Sequence, residues 1–173
     1  YGEKKDLILM DNNVVASPRL SEIIDEVVDL GFGPGATIIN SITKKPNVRR
    51  VDFNQGVDAR ILAKSEHFMK QLSRICLSPL RIAFDHVGLM KPYEQAVRYA
   101  SASGLNFLSN YMLYNFHDSP TDLFQRMRIN VSLNEELGTQ IYSFPMRYQP
   151  TDRPDRGHIG KHWNKYYLRS IQL

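Results

Sequence analysis

Cysteine is nearly absent from this chain of 173 residues, since Cys76 is the single one. One cysteine cannot form an internal disulfide, which is typical of proteins that stay in the reducing cytoplasm. No apolar run approaches the ~20 residues that a membrane-spanning helix needs. A basic segment followed by an apolar one, the mark of a signal peptide, is also missing. From these absences we expect a cytoplasmic protein with no membrane partner.

Several catalytic signatures are missing as well. The sequence contains no GxxxxGK[ST] phosphate loop, no HExxH or paired CxxC motif and no serine elbow. The glycine-rich segment at 31–36 follows a helical pattern, whereas a dinucleotide-binding loop follows a strand. Among the five histidines only His158 and His162 are spaced as helical neighbours, and glycines interrupt their segment. The sequence therefore predicts no metal site within this chain.

A repeated pattern is present instead, in which an apolar run ends in polar residues and a helix-like segment follows. The pattern occurs at Leu7–Asn13, Val51–Gly56, Arg81–His86, Phe107–Asp118 and Gln140–Gln149. Strands and helices that alternate at this spacing predict right-handed crossovers and an all-parallel sheet. These units are too few for a closed eight-stranded barrel. The predicted fold class is therefore α/β, either a partial (β/α) barrel or an open parallel sheet.

Helices are predicted from capping residues and from apolar side chains at helical spacing. They cover about 18–30, 65–76, 91–103 and 120–137. Ser17 and Ser119 are the expected N-caps of the first and last of these, because each precedes a proline. In the last helix the expected inward positions are Leu123, Phe124, Met127 and Val131. Residues 31–49 have no clear period and predict an irregular loop that helps to choose the ligand.

Positive charge is concentrated near the end of the sequence. The chain has a formal charge of +4, and residues 139–173, with six basic and two acidic residues, account for all of it. Aromatic residues such as Trp163 lie among the basic ones, so this segment could contact nucleic acid. The alternative, favoured by the scattered charges, is a solvated segment that packs its aromatic side chains on the body. We divide the chain into a domain at 1–150 and a basic extension at 151–173.

The polar residues after the first two strands are candidate ligands of a shared site. Because parallel strands collect their carboxyl ends on one face, we expect the strand ends to converge. The DNN segment at 11–13 could hold an ammonium or a hydroxyl group, or could form only a turn. Asp52 and Asn54 share one side of the second strand, which indicates a cavity rather than packing. Asp58 and Arg60 could pair with each other or cap a helix.

The next two strand ends add histidines. Asp85 and His86 could form a binding pocket or, with His86 as general base, act in catalysis, and we favour binding. His117 and Asp118 could contact a ligand at the start of the following helix, whose N-terminus attracts negative groups. A hydrolase based on Asp85 and His86 lacks a nucleophile in the sequence.

The order and the residues of these segments resemble those of a poorly characterised group within the radical S-adenosylmethionine (SAM) superfamily. The segments that carry the resemblance are LILMDNN, VDFNQGVDAR, RIAFDH, YMLYNFHDSPTDL, FPMRYQP and HIGKHWNKYYLR. They cover most of the chain. The resemblance implies a partial (β/α)₆ barrel, of which this chain holds strands two to six, with the cofactors at the strand carboxyl ends.

The resemblance also assigns residues to a SAM-binding rim. It implies cofactor binding by Asp11, Asn12, Asn13, Asp85, His86, Asn115, His117, Met146 and Arg147. It implies a place near substrate or in the barrel lumen for Asp52, Asn54, Gln55 and Arg60. The DNN segment departs from the family, because it lacks the glycines that the family usually has there.

The main departure concerns the [4Fe–4S] cluster, which the family holds with a CxxxCxxC motif after its first strand. Cluster iron needs thiolates, and Cys76 follows a helix instead. We therefore expect either an N-terminally truncated radical SAM enzyme or a degenerate homologue that never held a cluster. The full enzyme would form a 5′-deoxyadenosyl radical that acts on an unknown substrate, and this chain alone would be inactive. The alternative is a non-catalytic α/β binding module that contacts RNA through residues 147–169.

Overall fold

The computed structural model describes residues 3–152 and 155–171, which contain both strands and helices. The strands are β1 (Asp6–Ile8), β2 (Thr37–Ile39), β3 (Pro46–Val48), β4 (Arg50–Asp52), β5 (Leu80–Arg81), β6 (Phe107–Tyr114) and β7 (Gln140–Arg147). The helices are α1 (Leu20–Asp29), α2 (Ala59–Leu62), α3 (Glu66–Leu72), α4 (Met90–Ala102), α5 (Pro120–Leu137) and α6 (Lys165–Ile171). Short 3-10 turns at Val14–Ala16 and Val87–Leu89 precede α1 and α4.

Parallel pairing joins strands that are separated by helices along the chain. β1 pairs with β4, and β5, β6 and β7 form a three-stranded sheet in that order. Two isolated parallel bridges, Val51 with Leu77 and Val57 with Ile82, link the segment around β4 to the segment around β5. The parallel strands therefore follow one another in space in the order in which they occur in the sequence.

This topology confirms the coarse prediction of a mixed α/β fold with parallel sheets. Each parallel strand is followed by at least one helix, as the repeated sequence pattern indicates. Within the described ranges the sheets do not close into a barrel, because β1 and β7 are not paired with each other. The finer description, a partial (β/α) barrel, stays a prediction.

Residues 31–49 do not form the irregular loop that we expected. β2 and β3 pair antiparallel in this segment and make a hairpin. The turn is held by Asn40, whose side-chain oxygen accepts hydrogen bonds from the N–H groups of Ile42 and Thr43, at 2.9 Å each. Two of the apolar side chains of this hairpin, Ile39 and Val48, are 61% and 60% exposed. The apolar residues therefore do not mark a buried face that the sequence could reveal. The hairpin rests on local turn chemistry, which the search for hydrophobic periodicity does not detect.

The helix ends agree with the predicted caps except at α1 and α3. Ser119 forms a capping box with Asp122 at the start of α5, as expected. α1 begins at Leu20 rather than at residue 18, because the Ser17 side-chain oxygen accepts from the Arg19 N–H outside the helix. α3 ends at Leu72 and is shorter than the predicted 65–76. Over the described part of the chain, no helix has the length and apolar character needed to cross a membrane.

The predicted inward face of α5 is wrong at three of its four positions. Leu123 is buried, but the other three side chains are exposed: Phe124 by 59%, Met127 by 43% and Val131 by 56%. Arg126 and Asn130 lie on the buried face instead, at 0% and 4% exposure. Buried polar groups are tolerated when they find hydrogen-bond partners, and both side chains do so beneath the helix.

The segment that follows β7 returns to the strand ends and packs on them. Trp163 is 6% exposed and belongs to the main hydrophobic cluster. Its ring lies 5.3 Å from the ring of Tyr114, and its indole N–H donates to the Asp118 carbonyl at 2.9 Å. Tyr166 and Tyr167 stay at the surface. Arg153, which the sequence placed in the basic extension, lies outside the described residues.

Candidate functional site

A cavity of about 440 Å³ lies at the carboxyl ends of β5 and β6, where two loops leave the sheet. The loop after β5 contributes Asp85 and His86, and the loop after β6 contributes Phe116, His117 and Asp118. Parallel strands bring both loops to the same edge of the sheet. The structure therefore places three of the predicted cofactor-binding residues, Asp85, His86 and His117, around one space.

Asn115 makes the sharp turn that starts the second loop. Its φ angle of 66° lies in the left-handed region, which asparagine tolerates better than most residues. The side chain is 0% exposed. Its nitrogen donates to the carbonyls of Tyr148 and His158, at 3.2 and 3.1 Å, and its oxygen accepts from the Gly160 N–H at 2.8 Å. Asn115 thus fastens the loop to the C-terminal segment and does not line the cavity.

Two carboxylates hold this loop against the start of α5. The Asp118 Oδ1 atom accepts from the Phe116 N–H at 3.0 Å. The Asp122 Oδ2 atom accepts from the Ser119 N–H at 2.8 Å, and the Ser119 hydroxyl oxygen accepts from the Asp122 N–H at 3.2 Å. Both aspartates therefore have structural roles, and both also line the cavity and make it acidic.

Arg126 lies beneath the loop with its side chain fully buried. Its guanidinium donates to the carbonyls of Phe84 and Leu113, at 3.0 and 2.9 Å, and to the Asp118 Oδ2 atom at 3.2 Å. Burial lowers the pKa of Arg126, and Asp118 acts in the opposite direction. This residue was missed in the sequence, because arginine is rarely fully buried. Its position one turn after Leu123, on the same helix face, was the available signal.

Asp85 and His86 are the polar side chains best placed to meet a ligand. Within the described residues, neither has a side-chain hydrogen-bond partner. Both residues are exposed at the surface, and partial burial of the carboxyl raises the pKa of Asp85, although the positive charge of Arg126 opposes this shift. The His86 ring lies close to Gly88, where an added Cβ would come within 2.9 Å of Nδ1. A carboxylate beside an imidazole suits a ligand that carries positive charge and hydrogen-bonding groups.

Aromatic rings form one wall of the cavity and extend beyond it. The Phe116 ring centre lies 3.8 Å from that of His117 and 4.4 Å from that of Tyr148. The Tyr148 ring in turn contacts the ring of His158 at 5.4 Å. Phe116 remains 38% exposed, so one of its faces is available. An aromatic face next to polar groups can stack a flat heterocycle.

The polar residues after β1 and β4 form a second group, away from this cavity. The Asp11 Oδ1 atom accepts from the Asn13 N–H at 2.7 Å, which is the turn that the sequence offered as an alternative. The Asn13 side-chain oxygen accepts from the Asp58 N–H at 3.3 Å. The Asn54 side-chain nitrogen lies 3.8 Å from the sulfur of Met10. These contacts connect the ends of β1 and β4 to each other.

Three other predicted residues near these strands are exposed. Asn12 and Gln55 lie at the surface. Arg60 is 68% exposed and pairs with Asp58, with 2.6 Å between its Nη2 atom and Oδ2. Asp58 also accepts from the Arg60 N–H and so caps α2. The hydrogen bonds from Arg60 lower the pKa of Asp58. The pairing and capping roles considered for these two residues are therefore both present.

Asp52 pairs with Arg81 on the side of the sheets that borders a second cavity, and we call this side the open side. Two hydrogen bonds of 2.8 Å join the guanidinium to the carboxylate. Arg81 also donates to the Ser109 hydroxyl at 3.1 Å, and its guanidinium lies 5.5 Å from the ring centre of Tyr111. A cavity of about 350 Å³ on this side includes Asp52, Arg81 and Tyr142. Asp52 thus borders a cavity, but its charge is neutralised by an arginine that the sequence analysis did not assign.

The last two predicted residues lie on opposite faces of β7, as neighbours in a strand do. Met146 is 49% exposed. It lies two residues after Phe144, which is also exposed, so the two side chains share one face of β7. Arg147 turns the other way, and its Nη2 atom donates to the His158 carbonyl at 2.8 Å. Neither residue lines the cavity at β5 and β6.

The structure also shows how the side chains that could bind a metal ion are arranged. Across residues 3–152 and 155–171, no group of three histidine, cysteine or carboxylate side chains is arranged to hold a metal ion. Cys76 is partly buried, and burial raises the pKa of its thiol. It directly precedes Leu77, which bridges to Val51 before β5 begins. Cys76 therefore lies on the amino side of β5, away from the strand carboxyl ends.

Comparisons with known proteins do not assign the chain to a family. A scan against protein-family models, a search of curated proteins and a search of solved structures each found no match. The resemblance to radical SAM proteins therefore rests on the sequence segments alone, and the function of the cavity is inferred from its geometry.

Proposed function

We propose that the cavity at the ends of β5 and β6 binds SAM, and that the chain is part of a radical SAM enzyme. One observation carries the proposal. Asp85, His86 and His117, which the resemblance assigns to the cofactor, line one cavity beside an aromatic wall. SAM combines a flat adenine ring and a ribose with a sulfonium and an ammonium group. Aromatic faces, an imidazole and carboxylates are complementary to these parts.

Each side chain then has a distinct part in holding the ligand. Phe116 and His117 offer aromatic faces on which a heterocycle can stack. The Asp85 carboxylate, which has no partner among the described residues, accepts hydrogen bonds from hydroxyl or ammonium groups and attracts positive charge. His86 adds a second hydrogen-bonding group next to it. Arg126 acts as a positioning residue, since it fixes both loops from below. Beside a reduced iron–sulfur cluster, SAM is a source of a 5′-deoxyadenosyl radical.

The residues of this chain do not fit an iron–sulfur cluster. Such a cluster needs several thiolates. Cys76 offers one thiol, on the amino side of β5, and its raised pKa favours the protonated form. We therefore assign the cluster ligands to another segment of a parent protein, and the chain alone would not cleave SAM. If the coding sequence upstream of Tyr1 carries no three-cysteine motif, the enzyme assignment is contradicted.

The proposal includes the finer fold, a partial (β/α) barrel. The spatial order of the parallel strands supports it, because the strands follow one another as they do in the sequence. The bridges between the segments around β4 and β5 also support it. In a partial barrel the open side that carries Asp52 and Arg81 would face the lumen, where a substrate could lie next to SAM.

The binding test compares SAM with S-adenosylhomocysteine, which lacks the sulfonium charge, by calorimetric or NMR titration. SAM should bind more tightly, because the carboxylates that line the cavity attract its sulfonium charge. Asp85→Asn should weaken SAM binding by about tenfold, the loss expected for one charge-assisted hydrogen bond. The same substitution should reduce the preference for SAM. His86→Gln should weaken both ligands to a similar extent.

Matched controls come from exposed positions away from the cavity. Asp29→Asn at the end of α1 and His67→Gln on α3 make the same chemical changes at exposed sites. Both controls should keep the affinity of the unaltered chain. The proposal is contradicted if neither adenosyl compound binds, or if the control substitutions weaken binding as much as those in the cavity.

A further inference from the structure

A separate cavity of about 270 Å³ lies between the end of β7, the segment at 156–159 and α6. Its lining combines the apolar residues Ile159 and Leu168 with cationic side chains, namely Arg147, Arg156, Lys165 and Arg169. Of the residues that the structure describes, no acidic one belongs to this lining. The cavity shares no lining residue with the one at the ends of β5 and β6. It is therefore a second site of opposite charge.

The positive charges of this cavity are not neutralised within the described part of the chain. None of the four cationic residues forms a salt bridge there. Asp155 is close in sequence, but its Oδ1 atom accepts from the Gly157 N–H at 2.7 Å. Lys165 and Arg169 are four residues apart on α6, so they lie on one helix face and repel each other. This repulsion favours the entry of an anion between them.

Arg147 supplies the best-ordered cation of the cavity. Its Nη2 atom donates to the His158 carbonyl at 2.8 Å, which fixes the guanidinium. Its Nε atom is buried and has no hydrogen-bond partner among residues 3–152 and 155–171. The described residues therefore leave hydrogen-bonding capacity on a guanidinium that lines the cavity. A fixed guanidinium also loses little side-chain entropy on binding.

We propose that this cavity binds the phosphate group of a phosphorylated ligand. Guanidinium groups match phosphate oxygens with two parallel hydrogen bonds, and lysine adds a point charge. A phosphate monoester carries a charge of about −1.5 to −2 at neutral pH, more than one carboxylate supplies. Four cations around one small space therefore fit a phosphate better than a single carboxylate. The inference does not rest on the proposed SAM site, since the two cavities share no lining residue.

Two sources of phosphate share this chemistry. The first is a small phosphorylated molecule, which the compact shape of the cavity favours. The second is the backbone of single-stranded RNA, whose bases could stack on Tyr166 and Tyr167, exposed by 74% and 44% on α6. RNA would contact phosphates along a strand, so its affinity would fall steeply with added salt.

The experiment titrates the chain with inorganic pyrophosphate and, separately, with a short oligoribonucleotide that lacks terminal phosphates. Both ligands are followed by NMR of the arginine Nε–H signals and by calorimetry at low salt. Pyrophosphate has no adenosine, so it does not report on the proposed SAM site. Binding should shift the signals of Arg147, Arg156 and Arg169. The double variant Lys165→Gln/Arg169→Gln should weaken binding by about tenfold or more.

The control is Lys45→Gln/Lys64→Gln, which makes the same change of net charge at exposed positions outside the cavity. It should keep the affinity of the unaltered chain. Pyrophosphate binding without RNA binding identifies a small phosphorylated ligand as the source. RNA binding that is lost in the Lys165→Gln/Arg169→Gln variant identifies the RNA backbone. The proposal is overturned if neither ligand binds at low salt, or if the control loses as much affinity as the test variant.

Discussion

Arg126 is the residue on which the geometry of the cavity at β5 and β6 depends most. Its acceptors are the carbonyls of Phe84 and Leu113 and the carboxylate of Asp118. Phe84 directly precedes Asp85, and Asp118 directly follows His117. One guanidinium therefore fixes the two loops that carry the proposed ligand-binding side chains.

Replacing Arg126 should destabilise the protein strongly. Arg126→Met keeps most of the side-chain volume but leaves two carbonyls and the Asp118 Oδ2 atom without the Arg126 donor. Breaking a buried charge pair in this way costs about 3–5 kcal/mol of the free energy of unfolding. The measurement is urea unfolding followed by circular dichroism. Arg128→Met, on the exposed face of the same helix, should change the free energy by about 0.5 kcal/mol or less. Similar losses in the two variants would contradict the assigned role.

The carboxyl of Asp85 gives a second prediction, which concerns pH. Burial raises its pKa above the ordinary value of 3.8, so the folded protein holds the proton more tightly than the unfolded chain. Its contribution to stability is therefore largest below pH 3.8 and falls as the pH rises through the raised pKa. Asp85→Asn should stabilise the protein at about pH 7 and have little effect at about pH 3.

Unfolding of Asp85→Asn and of the unaltered chain at both pH values tests this expectation. Asp29→Asn, at an exposed position, is the control and should show no such pH-dependent gain. A loss of stability at neutral pH, instead of a gain, would mean that the carboxyl is stabilised in its charged form. A gain of stability in Asp85→Asn would show that the charged carboxyl destabilises the free protein. A cationic ligand next to the carboxyl can offset this destabilisation.

At the scale of elements, a buried hydrogen-bond network joins α4, α5, β6 and β7. The Tyr93 hydroxyl donates to the Asn130 side-chain oxygen at 2.8 Å and accepts from the Asn110 side-chain nitrogen at 2.7 Å. Asn130 donates in turn to the Ser143 hydroxyl at 2.7 Å. Burial raises the pKa of Tyr93, so its hydroxyl stays protonated and able to donate. The network fixes how the two long helices sit on the sheet.

Tyr93→Phe should weaken this attachment. Removal of the hydroxyl leaves Asn110 and Asn130 each with an unsatisfied buried group, at a cost of about 1–3 kcal/mol. Tyr99→Phe, on the same helix, is the matched control, because the described residues give its hydroxyl no hydrogen bond. Chemical denaturation of both variants gives the comparison. An effect of Tyr93→Phe no larger than that of Tyr99→Phe would show that the network contributes little.

The same network shows why α5 could not be read correctly from the sequence. Its cap at Ser119 was predicted, because capping depends on neighbouring residues. Its buried face was not predicted, because a prediction from hydrophobic periodicity takes the apolar side chains to point inward. Asn130 and Arg126 point inward instead, and their partners come from other elements. By contrast, the buried face of α4, which includes Tyr93 and Val97, is mainly apolar and follows the helical spacing of the sequence.

At the scale of the whole molecule, the alternation of parallel strands and helices was predicted from the sequence. The expectation that all polar strand ends meet at one site was met only in part. Asp85, His86 and His117 meet because their strands are adjacent. The residues after β1 and β4 form their own group, because β5 lies between β4 and β6 and isolated bridges join the segments around β4 and β5. The pairing of Asp52 with Arg81 depends on contacts between distant segments, which spacing along one chain does not reveal.

The C-terminal segment borders one cavity and contacts a loop that lines the other, and Gly160 is the position that tests whether it couples them. An added Cβ at Gly160 would lie 2.8 Å from the Asn115 carbonyl oxygen and 2.9 Å from that of Phe116. Backbone atoms cannot move aside easily, so Gly160→Ala should displace the segment and cost about 1–3 kcal/mol. Trp163, the single tryptophan and 6% exposed, should then become more exposed and emit at longer wavelengths.

Tryptophan fluorescence and urea unfolding measure the two effects of Gly160→Ala. Gly33→Ala is the control, because an added Cβ there meets no atom within 4 Å. Gly160→Ala should also weaken pyrophosphate binding, since the displaced segment at 156–159 lines the cationic cavity. It should weaken SAM binding as well, because Phe116 borders the other cavity. A variant with unchanged fluorescence and unchanged binding of both ligands would show that the segment does not couple the cavities.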